Sequence, residues 1–145
     1  MGPRMNEQEF KKRTKQLALR VIELVDELPR RRTADVLGRQ VVRSGTSVGA
    51  NYRSVCRGKS TADVLAKLAI VEEEADETIY WLELLVEAKI VPETRVTEIM
   101  KQSNEIVAMT VASIKTLRGR NEHKNFEKTC KSVSSDLSDN PKSKI

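Results

Sequence analysis

Five arginines, Arg32, Arg39, Arg43, Arg53 and Arg57, recur along a stretch that carries almost no acid. If that stretch is helical with Val41 at heptad position a, Arg32, Arg39 and Arg53 fall at f, and Arg43 and Arg57 at c. All five then lie on the side opposite the core seam. A line of guanidinium groups, each a rigid fork of donors, suits phosphate oxygens. The alternative is that these arginines are solvated or pair with the acids that follow them. Residues 30–59 hold eight basic residues against Asp35 alone, and residues 60–90 hold Lys67 and Lys89 against eight acids. The net charge of +5 therefore conceals a segment of +7 beside one of −6.

Other residue types offer less chemistry. The run Ser44-Gly45-Thr46-Ser47-Val48-Gly49-Ala50 is a poor helix former. It fits a place where small side chains let two helices approach. A phosphate-binding glycine loop is the alternative, but the Walker spacing and its Lys-Ser/Thr ending are missing. The acidic run from Glu72 to Glu77 lacks the Glu-x-x-His pairs of a bundle di-metal site. His123 is the chain's single histidine, and no metal or cofactor is expected. Arg118 and His123 match a loose Arg-x4–6-His spacing found in helical-bundle ribonucleases, with Gly119 interrupting it. Cys56 and Cys130 make no disulfide framework. No enzymatic activity is expected.

These residues need a scaffold, and 145 residues suffice for one domain with a real core. Aromatics are 3%, too few for a β-sandwich or a base-stacking platform. Apolar positions Phe10, Leu17, Val21, Leu24 and Leu28 recur at helical spacing and predict a first helix from about Asn6 to Leu28. Thr33 can cap a second helix, from about Ala34 to Arg57, which Gly58 ends. Ser60-Thr61-Ala62-Asp63 resembles a capping box opening a third, to about Ala88. Pro92 can start a fourth, and Gly119 can end it. The spacing predicts an all-α, antiparallel, up-down-up-down four-helix bundle over residues 6–118. A disordered start over residues 1–5 and a disordered polar tail over residues 119–145 are expected.

The second helix has the core line Leu37, Val41, Ser44, Val48, Asn51 and Val55. Ser44 and Asn51 would be buried polar groups needing partners, and Glu74 and Glu77 on the third helix are the candidates. The third helix carries two apolar lines. One is Leu65, Leu68, Ala75, Ile79, Leu82 and Val86; the other is Trp81, Leu84, Leu85 and Ala88. The second line predicts an oligomer interface, with a wide core face in a monomer as the alternative. No apolar run approaches a membrane span, and no apolar stretch follows the basic start. A soluble, cytoplasmic protein without membrane contact is expected.

The order Gln40-Val41-Val42-Arg43-Ser44, then Ser47-Val48-Gly49-Ala50-Asn51-Tyr52, resembles a family of small bacterial four-helix bundles. So does Ser60…Asp63…Lys67-Leu68…Glu74-Ala75-Asp76-Glu77-Thr78…Tyr80-Trp81-Leu82. Members of that family are best known from reading frames inside intervening sequences of 23S ribosomal RNA genes. The resemblance covers about residues 6–118 and implies a bundle assembled as a homopentamer. Accessory proteins of diversity-generating retroelements look like relatives, which implies nucleic acid and a reverse transcriptase as partners. The arginine stripe is then the candidate surface for an RNA or DNA backbone. A protein-interaction scaffold, with its arginines paired internally, is the alternative.

Overall fold

A computed structural model describes residues 6–138 of the chain, with side chains described to Ser135. Four helices follow one another: α1 (Glu7–Asp26), α2 (Arg32–Val55), α3 (Thr61–Glu87) and α4 (Glu93–Ser138). No strand occurs among the described residues. Each helix packs on its neighbours in chain order, and α4 returns to α1. Short connections make neighbours antiparallel, so the arrangement is an up-down-up-down bundle.

The ends of the helices have local causes. The Asn6 side chain accepts the Glu9 N–H at 2.7 Å and opens α1. Ser60 Oγ accepts the Asp63 N–H at 3.1 Å and opens α3. Asp63 reaches back in turn, but to the Lys59 N–H at 3.2 Å, one residue earlier than in a standard capping box. Thr33 does not cap α2: Arg31 holds that position without a side-chain bond. Gly58 follows α2 for want of space, since a Cβ there would stand 2.4 Å from Val64 Cγ2. The left-handed residue is Lys89, with φ of 59°. It forms a Schellman turn after α3, in which Lys89 N–H donates to Val86 O and Ile90 N–H to Leu85 O. Ile90 and Leu85 are both buried beneath it.

The core is built from Leu17, Val21 and Leu24 of α1, Val41 and Val48 of α2, Val71, Leu82 and Leu85 of α3, and Val96 and Ile106 of α4. Each such side chain contributes about 1.5–3 kcal/mol on burial. The face that α2 buries is rotated from the expected line. Gly38, Gly45 and Tyr52 go inside with Val41, Ser44 and Val48, while Leu37, Asn51 and Val55 are only partly buried. The cause is the approach of α1. A Cβ on Gly45 would meet Val21 Cγ2 at 3.0 Å, and one on Gly49 would meet Thr14 Oγ1 at 3.2 Å. The small-residue run thus lies inside α2 and serves close packing. Phe10 stacks on Tyr52 at 4.0 Å between the same two helices. The α1–α4 seam carries ion pairs instead: Arg13–Glu105 at 3.4 Å, Arg20–Glu98 at 3.6 Å and Arg95–Glu27.

Gly119 does not end α4. The helix runs on to Ser138, so the segment expected to be disordered from residue 119 is helical that far. A glycine inside a helix costs only about 1 kcal/mol, and each further residue of a formed helix adds a bond. The expected lack of packed neighbours does hold: from Arg118 to Ser135 every side chain but Asn121 is exposed. Residues 1–5 and 139–145, the rest of the expected start and tail, lie outside the described residues.

Candidate nucleic-acid interface

Arg32, Arg39, Arg43, Arg53 and Arg57 are all exposed on α2 or just past its end. Arg43 differs from the other four. Its Nη1 donates to Glu74 Oε2 at 3.3 Å, its Nη2 to Glu77 Oε1, and its Nε to Gln40 Oε1 at 3.0 Å. Glu77 Oε1 also accepts Trp81 Nε1–H at 3.2 Å. Arg43 therefore stitches α2 to α3, and the two carboxylates nearest the stripe are occupied by it. Arg32, Arg39, Arg53 and Arg57 make no ion pair among the described residues.

The structure adds cations that the arginine spacing did not show. Where α1 and α2 meet, a shallow groove is lined by Lys11, Lys15 and Arg53 around Gly49 and Ala50. Lys11 pairs with Glu7 at 2.9 Å; Lys15 has no ion pair among the described residues. A second groove toward the α1–α2 turn is lined by Arg30, Arg39 and Arg43, with Asp35 beside them. The signal for Lys11 and Lys15 was their four-residue spacing, which puts them on one side of α1 next to α2.

The buried polar residues have other partners than expected. Thr78 Oγ1 lies 2.9 Å from Ser44 Oγ, and both residues are fully buried. Ser44 donates to Gln40 O, and the single Thr78 hydroxyl hydrogen is shared between Ser44 Oγ and Glu74 O. Asn51 Nδ2 donates to Ser47 O at 2.8 Å within its own helix. Ser44 and Asn51 thus leave Glu74 and Glu77 to Arg43. A helix rotated toward α1 turns Asn51 off the core axis, and Thr78 is the residue that faces Ser44.

The proposed oligomer face needs a correction as well. Leu85 is 0% exposed and belongs to the bundle core. Trp81 and Leu84 are partly buried, and Ala88 is exposed. Two residues outside that set, Ile70 and Tyr80, stand out more, with Tyr80 51% exposed. On a 3.6-residue helix Leu85 projects about 40° from Trp81 and about 60° from Ala88, enough to reach the core.

The remaining candidates do not assemble. Arg118 and His123 both lie on the exposed part of α4, five residues apart and on different sides of it. His123 lies 3.4 Å from Glu127 instead. No group of three metal-ligating side chains occurs among the described residues. Cys56 and Cys130 are free. Burial, and after it the neighbouring Glu7 carboxylate, push the Cys56 thiol above its ordinary pKa. No described helix is long and apolar enough to cross a membrane.

Comparison with known proteins places this geometry. A search of curated proteins finds no match. Among solved structures, the chain resembles a protein of unknown function from the S23 ribosomal protein family of Bacteroides thetaiotaomicron VPI-5482. The two share 36% identity with a TM-score of 0.69, over 73% of this chain and 98% of that one. The model of the 23S rRNA-intervening sequence proteins matches residues 6–112, which take in the first three helices and most of the packed part of α4, and the chain belongs to that family.

Proposed function

We propose that this protein is a non-enzymatic, self-associating bundle that binds the phosphate backbone of RNA along α2. The observation that carries the proposal is the division among the arginines. Arg43 takes Glu74 and Glu77 of α3, while Arg32, Arg39 and Arg53 on α2 and Arg57 just past its end remain exposed and, among the described residues, without an ion pair. Phosphate contacts by such residues fix position and carry no sequence information. The aromatic residues fit the same reading. Phe10 and Tyr52 are buried against each other, and the exposed Tyr80 and Phe126 lie on α3 and on the far part of α4. Base stacking therefore contributes little. A family known by the intervening sequences of 23S rRNA supports RNA over DNA. The exposed Ile70, Tyr80 and Ala88 of α3 supply a face for self-association, which multiplies a modest cationic patch.

The test is retention of a labelled single-stranded RNA on a filter. The triple variant Arg39→Glu, Arg53→Glu, Arg57→Glu, folded by circular dichroism, should lose it. A folded variant that still retains RNA would leave the interaction-scaffold reading in its place.

A further inference from the structure

Beyond Leu117, α4 leaves the bundle and continues for about 30 Å with its side chains exposed. Two of its sides differ in kind. Arg120, Lys124, Lys128 and Lys131 recur at four, four and three residues and share one side. Phe126, Cys130 and Val133 recur at four and three residues and share the opposite side. Phe126 is 69% exposed and Val133 53%. Traced back toward the bundle, this second line meets Gly119 and Ala112, both exposed and turned away from the core-facing Ile106, Thr110 and Ile114. Nothing lies within 4 Å of the point where a Gly119 Cβ would stand.

We propose that this outer face of α4 pairs antiparallel with the same face of a second copy of the chain. The large and small residues are placed for it. Phe126 and Gly119 are symmetric about one point near residue 122, and Val133 and Ala112 are symmetric about the same point. A two-fold partner turned about that point sets Phe126 over the partner subunit's Gly119, and Val133 over the partner subunit's Ala112. Large-on-small packing lets the helices close without a void. On one flank Arg120 comes beside the partner subunit's Glu127, twice by symmetry, giving two complementary contacts; on the other flank the two Glu122 side chains meet at the axis and turn outward to water. A parallel partner would stack the two Phe126 rings and leave Gly119 facing glycine. The cations Lys124, Lys128 and Lys131 stay outside the antiparallel pair and in water. The pairing also supplies what the extension otherwise lacks, since a projecting helix of this length without tertiary contact is marginal. Apart from Ala112, every residue of the contact lies outside residues 6–112, and the contact is independent of the α2 arginines.

Cys130 reports the register. In the antiparallel pair it faces the partner subunit's Lys115, and the two Cys130 thiols stand about 22 Å apart. In a Cys56→Ser background under copper–phenanthroline, Lys115→Cys should give a disulfide-linked dimer that Cys130→Ser abolishes. Without Lys115→Cys no linked dimer should form. By light scattering, Phe126→Glu should halve the particle mass with helicity unchanged, because Phe126 makes no core contact. A dimer linked through Cys130 alone, no dimer with Lys115→Cys, or a mass unchanged by Phe126→Glu would each overturn the proposal.

Discussion

Thr78 and Ser44 meet hydroxyl to hydroxyl at 2.9 Å in the centre of the α2–α3 contact, each with no exposed surface. Ser44 gives its one hydrogen to Gln40 O a turn back, and the one Thr78 hydrogen is shared between Ser44 Oγ across the contact and Glu74 O in its own helix. The pair therefore links two helices, with Ser44 Oγ as the acceptor and Thr78 as the donor. Removing one hydroxyl leaves the other its intrahelical partner, so the loss should be that of one buried hydrogen bond. We expect Ser44→Ala and Thr78→Val to cost about 1 kcal/mol each. The double variant should cost less than the two together, by about 0.5 kcal/mol or more, since the residues share one contact. Urea unfolding of the four proteins in the cycle measures this, and strict additivity would show that the hydroxyls do not interact.

Lys89 sits in the left-handed region with φ of 59°, where a Cβ is strained. Its side chain is exposed, so nothing in the fold needs it there. Lys89→Gly should stabilise the bundle by about 0.5–1 kcal/mol, with the Schellman bonds to Val86 O and Leu85 O retained. A rise in the thermal midpoint checks this.

Asp63 opens α3 through two bonds to its carboxylate. The Lys59 N–H and then the Lys67 ammonium hold its pKa below the ordinary aspartate value. A carboxyl whose folded pKa is depressed stabilises the protein above its unfolded pKa, and that contribution is lost as pH falls through the folded value. Wild type should therefore exceed Asp63→Asn in urea midpoint at pH 6. The gap should close as pH drops below about 3.9, the unfolded aspartate value. A gap independent of pH would mean that the charge is not what matters.

Much of this was legible along the chain, and the exceptions share a physical reason. Ser60 and Asp63 act through bonds to residues three or four positions away, so their spacing was enough to place the start of α3, and the apolar period from Phe10 placed α1. Ser44 was legible as a buried polar residue because a helical period sets its face. Its partner Thr78, and the partners of Arg43, depend on how α2 turns against α3, which a single helix does not encode. That rotation follows from Gly45 and Gly49 admitting α1, a tertiary contact. Leu85 was assigned to an outer line for a related reason: on α3 the apolar residues spread too widely for periodicity to choose the buried ones. Gly119 had the look of a stop, yet a helix already formed continues through one glycine in open space.

If the unpaired arginines along α2 hold an RNA backbone, binding must fall with salt. Binding of a single-stranded RNA should weaken linearly on a log–log scale as salt rises from about 50 to 200 mM, by about 0.7 in slope for each phosphate neutralised. Arg53→Gln and Arg57→Gln should each flatten that slope by about one phosphate's share. Arg43→Gln should leave the slope unchanged while lowering the urea midpoint, because its guanidinium is committed to Glu74 and Glu77. No RNA binding at low salt, or a slope that responds to Arg43 and not to Arg53 and Arg57, would mean that the unpaired arginines do not hold the backbone.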